Sequence, residues 1–63
     1  MEQIDCIKFV DDATGCGVSL SVFRRDDAMV LMDVQVSDKP ATLVSLSSDI
    51  AKRLADAIVR AIP

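Results

Sequence analysis

The sequence predicts an α+β fold, a four-stranded antiparallel meander with one C-terminal helix packed on one face (β-β-β-β-α). Three observations predict it. Two segments alternate apolar and polar side chains, as strands with one buried face do. Short turn-forming stretches separate consecutive strand segments, which favours antiparallel neighbours. Residues 47–62 repeat apolar side chains at helical spacing. Residues 1–63 are therefore expected to form a single α+β domain.

The predicted strands cover residues 4–10, 18–23, 28–36 and Thr42–Leu46. The second and third alternate most clearly, so we expect one face of each to be buried. The first strand is apolar on both faces, which leaves its register open. Turn residues follow each of the first three strands: two acids and two glycines after the first, the charged residues 24–27 after the second, and residues 37–40 with Pro40 after the third.

The helix is expected to begin at Ser47, whose hydroxyl can cap the first turn. Its charged side chains fall in one narrow stripe along the helix; these are Asp49, Lys52, Arg53, Asp56 and Arg60. The remaining roughly 200° of the helix circumference is apolar, wider than the ~100° apolar stripe of a helix that packs on one core. The residues expected to meet the valine-rich sheet face are Ile50, Leu54, Ile58 and Ile62. The residues Ala51, Ala55 and Val59 form one edge of the apolar arc, and Ala57 and Ala61 form the other.

A second apolar surplus is predicted on the opposite sheet face. Phe23, Met29, Leu31 and Leu43 share that face with serines and other polar residues, together with either Ile7 and Phe9 or Ile4 and Val10. If these side chains cluster, the patch exceeds what monomers usually expose; coverage by loops and sheet twist is the alternative. The predicted interface residues are Phe23, Met29, Leu31, Leu43, Ala55 and Val59.

The size of the chain favours association. A 63-residue domain has one small core and commonly needs disulfides, a metal or a partner chain. The chain has no His and two Cys. Cys6 is placed opposite roughly residue 20 and not opposite Cys16, so we expect two reduced thiols and a cytoplasmic protein. We therefore expect a homodimer.

No chemistry of a known catalytic type is predicted. Nucleophilic triads need a general base, most often His. The paired acids Asp11-Asp12 and Asp26-Asp27 do not match the calcium-loop pattern. We therefore predict no catalytic, cofactor-binding or metal-ligating residue and no enzymatic activity. No stretch approaches 18 apolar residues and the N-terminus lacks a signal-peptide pattern, so no membrane association is expected.

The composition favours a small acidic protein-interaction module, a homodimer acting as an adaptor, inhibitor or regulator on an unidentified protein. Phage and mobile-element accessory proteins include chains of this kind. The alternative is a single-strand nucleic-acid-binding β4α dimer using Lys8, Arg24, Arg25 and Lys39. The element order resembles, in topology and without any shared motif, small single-strand DNA-binding dimers of the transcriptional-coactivator type, in which the C-terminal helix pairs two subunits. The net charge of −3 and the absence of Trp and Tyr favour the first hypothesis.

Overall fold

The computed structural model describes the whole chain, residues 1–63, as one antiparallel sheet followed by one helix. The strands lie in the sheet in their sequence order, so every connection between them is a hairpin. This confirms the predicted β-β-β-β-α fold. The elements are β1 (Glu2–Val10), β2 (Gly17–Arg24), β3 (Val30–Val36), β4 (Thr42–Leu46) and α1 (Ser48–Ala61).

The third strand begins two residues later than predicted, at Val30. Ala28 adopts a left-handed conformation with φ 63°, which strand residues do not adopt. The turn is closed by a hydrogen bond of 2.9 Å from the Arg25 amide to the Met29 carbonyl. The Met29 amide in turn donates to the Asp27 side chain. Ala28 and Met29 therefore belong to the β2–β3 turn and not to the strand.

The pairing of β1 with β2 settles the register that the sequence left open. Ile7 lies opposite Leu20 and Phe9 lies opposite Val18, with an irregularity between Gln3 and Asp5. Directly opposed residues in an antiparallel pair place their side chains on the same face of the sheet. Ile7 and Phe9 therefore join the valine-rich face and are not on the opposite one.

The register of all four strands defines two faces with different chemistry. We call the first the apolar face; its apolar members are Ile7, Phe9, Val18, Leu20, Val22, Val30, Met32, Val34, Val36, Val44 and Leu46. Asp5, Arg24 and Thr42 lie on the same face at the margins of this set, opposite Val22, Val30 and Val34. We call the second the serine face; it comprises Cys6, Lys8, Ser19, Ser21, Phe23, Leu31, Asp33, Gln35, Leu43 and Ser45.

The helix begins where the sequence predicts. Ser47 is the N-cap, with φ −67° and ψ 162°, and its hydroxyl accepts a hydrogen bond of 3.3 Å from the Ile50 amide. Asp49 in the first turn and Arg60 in the last turn complement the helix dipole. At the other end, the Ile62 amide donates to the Val59 carbonyl at 3.3 Å. Each end of α1 therefore has a capping hydrogen bond within the chain.

The helix covers the apolar face only in part. Its backbone lies mainly beside β4, the strand directly before it. Helix and sheet enclose an open groove of about 290 Å³ between them. This groove is lined by Val22, Val30, Met32 and Leu46 from the sheet and by Ala51, Leu54, Ala55 and Ile58 from the helix.

Two expectations about helix packing are therefore wrong. Ile50 and Ile62 do not line the groove and are exposed: Ala51 and Ala55 turn toward the sheet, and Ile62 lies after the end of the helix. Sheet residues outside the groove are also expected to meet the helix and do not line the groove; these are Val18, Leu20, Val34 and Val36. The physical reason is the short connection after β4: Ser47 is the single residue between Leu46 and α1, so the helix begins at the end of the sheet opposite these residues.

The chain is incompletely packed for its size. Leu31 is the one buried residue, and every helix residue except Ala51 is exposed. The accessible surface is 4942 Å², whereas a compact monomer of this mass exposes about 4,000 Å². The radius of gyration is 12.8 Å, against about 10.6 Å for a compact domain of this length. The protein therefore has surface that one copy of the fold leaves open.

Candidate interaction surface

One apolar area of the sheet is not covered by the helix. It lies at one end of the apolar face, where two apolar rows cross β1, β2 and β3: Phe9, Val18 and Val36 in one, and Ile7, Leu20 and Val34 in the other. Ile7 is 51% exposed and Phe9 is 44% exposed, and the other four residues are half-buried. We call these six residues the open half of the apolar face.

The strand register explains why this half is open. The groove under α1 is lined by Val22, Val30, Met32 and Leu46, which lie in the two rows at the end of the sheet where the helix begins. The open half occupies the two rows toward the other end of the strands. The chain has one helix, so this end of the sheet has no covering layer within the same chain.

The helix keeps apolar surface beyond what the sheet contacts. Leu54 and Ile58 line the groove and are still exposed. Val59 is 68% exposed, so it is available for association as predicted, while its role as an interface residue stays a prediction. Ala55 turns toward the groove instead and faces the chain's own sheet. The charged stripe of α1 lies on the side away from Ile58 and Ala55, and Val59 lies at its border, next to Lys52.

The apolar cluster predicted on the opposite face does not form an open patch. Leu31, expected to be exposed, is only 4% exposed, so this prediction is wrong. The residues around Leu31 include Met1 and Arg25, Asp26 and Asp27 of the β2–β3 turn, which line a shared cavity with it. Coverage by the N-terminus and a loop, the alternative considered from the sequence, is what the structure shows.

The other members of that cluster are unevenly placed. Phe23 lies on the serine face opposite Leu31 and is half-buried. Met29 is half-buried in the turn. Leu43 is 62% exposed and is the one freely accessible apolar side chain of the four. An isolated exposed leucine is common on monomers and does not by itself indicate an interface.

The serine face carries a thiol with polar neighbours. Hydrogen bonding with the Ser21 hydroxyl, and then with that of Ser19, lowers the pKa of the Cys6 thiol from its ordinary value. The Cys6 Sγ and Ser19 Oγ atoms are 3.6 Å apart. Cys6 and Cys16 are both free, and Cys6 lies opposite Ser21. The structure brings together no group of three or more side chains suited to binding a metal ion.

One feature of this face has no signal in the sequence pattern. One carboxylate oxygen of Asp33 is buried without a hydrogen-bond partner. Asp33 lies between Ser21 on β2 and Leu43 on β4. A buried unpaired oxygen is destabilising, and its alternating position in β3 had predicted only an exposed polar residue.

The four cations of the nucleic-acid hypothesis do not form one patch. Arg24 pairs with Glu2 at 3.2 Å, and Arg25 pairs with Asp27. Lys8 lies opposite Ser19, near the other end of β2. Ser19 and Arg24 are five residues apart along one strand, or roughly 17 Å at the usual rise. Lys39 follows β3 in the turn at the Lys8 end of the sheet. The cations are thus divided between two ends, and both arginines have acidic partners.

Comparisons with protein-family models, with curated proteins and with solved structures find no match for this chain. The single helix, α1, is too short and too polar to cross a membrane.

Proposed function

We propose that the protein is a small non-catalytic protein-interaction module that forms a homodimer and acts as an adaptor, inhibitor or regulator of a macromolecular partner. The observation that carries this proposal is the open half of the apolar face. Six aliphatic and aromatic side chains lie in two adjacent rows with no covering element. Contiguous apolar surface of this kind marks interaction sites on soluble proteins.

The size of the open surface supports association. The chain exposes about 900 Å² more than a compact monomer of its mass. A standard protein interface buries about 800 Å² on each partner. The exposed helix, the chain ends and the open half share this surplus, which in total is close to what one specific interface needs. The two free thiols are in keeping with the expected cytoplasmic location, where disulfides are rare.

The nucleic-acid alternative has less support. Non-specific binding to phosphates needs clustered cations, and binding of single strands adds aromatic stacking platforms. Here the cations are divided, and the open surface is apolar. Phe9 is the one aromatic residue on it.

Sedimentation velocity at tens of micromolar tests the proposal. We expect the wild-type protein to sediment at twice the 6.8 kDa mass of the chain. Ile7→Glu should shift it to a monomer, because a carboxylate would be buried in the interface without a partner. The matched control is Leu43→Glu, which places the same charge on a similarly exposed residue of the serine face. That variant should remain a dimer.

A wild-type monomer at this concentration would overturn the homodimer. A dimer that dissociates with Leu43→Glu and persists with Ile7→Glu would instead move the interface to the serine face. Oligonucleotide titration at several salt concentrations tests the alternative. Sub-micromolar binding that weakens steeply with salt would favour a nucleic-acid-binding protein, since release of counterions causes that dependence.

A further inference from the structure

We propose that two copies pack the open halves of their apolar faces directly against each other, so that each α1 lies beside the partner's sheet and not on top of it. This inference rests on the proposed homodimer and specifies its geometry. The surface that covers the open half is then the open half of a second, identical chain. The interface is then isologous, with the same surface used by both copies.

The stepped shape of the chain makes this arrangement possible. The end of the sheet at Val30 and Leu46 carries α1, and the open half, toward the other end of the strands, is bare. A helix layer is about 10 Å thick, and two sheets packed face to face also lie about 10 Å apart. A partner sheet resting on the bare half therefore lies at the same height as α1. In the dimer, each α1 and the partner's sheet therefore lie side by side in one layer.

The charges on α1 exclude the opposite arrangement, in which the helix of one copy is sandwiched between both sheets. The side of α1 that faces its own sheet contains Ala51, Ala55 and Ile58. The charged stripe lies on the other side, where Asp56 and Arg60 form an ion pair of 2.8 Å. A sandwiched helix would bury this stripe against the partner's valines, which costs much free energy. Beside the partner's sheet, the stripe stays in water.

The side of α1 next to the groove is apolar, as contact with a partner's sheet requires. Leu54 and Ile58 line the groove together with Val22, which belongs to β2, so the groove reaches toward the bare half. Both helix residues remain exposed in one chain. A partner sheet on the bare half would border them. This position gives the excess apolar surface of the helix a partner without covering its charges.

The area agrees with a dimer of this kind. If each chain buries its surplus of about 900 Å², the pair buries roughly 1,800 Å², within the 1,200–2,000 Å² of specific interfaces. Pairing through the free edge of β1 is the competing geometry. It would extend the sheet and leave both open halves exposed, and the irregularity between Gln3 and Asp5 interrupts that edge. The face-to-face geometry is therefore favoured.

Thiol cross-linking distinguishes the two geometries. In a Cys6→Ser, Cys16→Ser background, one variant carries Leu20→Cys and its matched control carries Ser21→Cys. The two positions are neighbours on the interior strand β2 and point to opposite faces. A bifunctional thiol reagent spanning about 10 Å, the spacing of packed sheets, is used on both. We expect several-fold more covalent dimer from Leu20→Cys than from Ser21→Cys, with sedimentation confirming that both variants are dimers.

Equal cross-linking of the two variants would overturn the face-to-face geometry, because edge pairing places both thiols at the same strand separation. More cross-linking from Ser21→Cys would also overturn it and would assign the contact to the serine face. In either case, a dimeric sedimentation value would leave the proposed homodimer standing. A monomeric background protein would instead remove the homodimer itself, so the two failures can be told apart.

Discussion

The Ser48 hydroxyl donates a hydrogen bond of 3.2 Å to the backbone carbonyl of Ala28, twenty residues earlier in the chain. This bond ties the first turn of α1 to the β2–β3 turn. The N-cap at Ser47 determines the residue at which the helix begins. The Ser48–Ala28 hydrogen bond holds this first turn against the end of the sheet that carries the β2–β3 turn. Because α1 has little buried surface, these polar contacts contribute to its position beside β4, and that position leaves the other half of the apolar face open.

Removing the Ser48–Ala28 hydrogen bond should lower the local stability of α1 without affecting the sheet. Ser48→Ala deletes one hydrogen bond and is expected to make the amides of α1 exchange with solvent about 2- to 5-fold faster, corresponding to about 0.5–1 kcal/mol. Amides in β2 and β3 should be unaffected. Hydrogen exchange followed by NMR measures both groups. Ser48→Thr, which keeps the hydroxyl, is the control; if both substitutions accelerate exchange equally, the Ser48–Ala28 bond does not hold the helix.

The left-handed conformation of Ala28 predicts a stabilising substitution. Ala28 has φ 63°, a region that costs a residue with a side chain about 1–2 kcal/mol and glycine almost nothing. Glycine also makes the unfolded chain more flexible, which costs about 0.4–1 kcal/mol. Ala28→Gly should therefore raise the free energy of unfolding by about 0.5–1 kcal/mol in urea titrations.

Ala13, in the β1–β2 turn, provides the comparison for that substitution. It is not among the residues with positive φ, which are Ala28, Ser37 and Gly15. Ala13→Gly should lower stability by about 0.4–1 kcal/mol, because it affects only the unfolded state. A loss of stability in both variants would contradict the proposed strain at Ala28.

The groove under α1 predicts a second stabilising substitution. Ala55 lines this groove of about 290 Å³ together with seven other apolar residues. Ala55→Leu adds apolar surface there and should raise the free energy of unfolding by about 1 kcal/mol, a value reduced because the groove is open on one side. Ala57→Leu is the control, since Ala57 borders Arg53, Asp56 and Arg60 on the helix surface. Urea titrations that show no difference between these variants would mean that the groove is already closed to a larger side chain.

The serine face predicts a pH-dependent thiol at Cys6. Hydrogen bonding with Ser21 and Ser19 lowers the pKa of this thiol in the folded protein. The thiolate therefore contributes stability that is present above the unfolded pKa and is lost as pH falls through the folded pKa. In a Cys16→Ser background, alkylation by iodoacetamide at about pH 8, close to the ordinary thiol pKa of about 8.5, should become slower with Ser21→Ala.

The control for the thiol prediction is Ser45→Ala. Ser45 is on the same face but lies opposite Leu31, in a different row from Cys6. The alkylation rate should be unchanged in this variant. A rate profile against pH that is identical for wild type and Ser21→Ala would contradict the role of the hydroxyls.

Local pattern predicted most of the fold because each signal acts over a few residues. The alternation in β2, the turn chemistry near Gly15 and the cap at Ser47 each depend on neighbours in the chain. The sites that were mispredicted depend on distant partners. The alternation of side chains in β3 places Leu31 on the face predicted to be exposed, yet the N-terminus and the β2–β3 turn cover it.

The amino-acid sequence predicts the element order, the helix cap and the excess of apolar surface over what one small core can bury. It could not determine where that excess lies, because both faces of β1 are apolar and alternation alone does not choose between them. The pairing of the strands and the placement of the helix give the location. Pairing of Ile7 with Leu20 puts the side chains of Ile7 and Phe9 on the valine-rich face, and the short connection through Ser47 starts α1 at the Leu46 end of the sheet. Together these two constraints leave the open half of the apolar face at the other end of β1, β2 and β3.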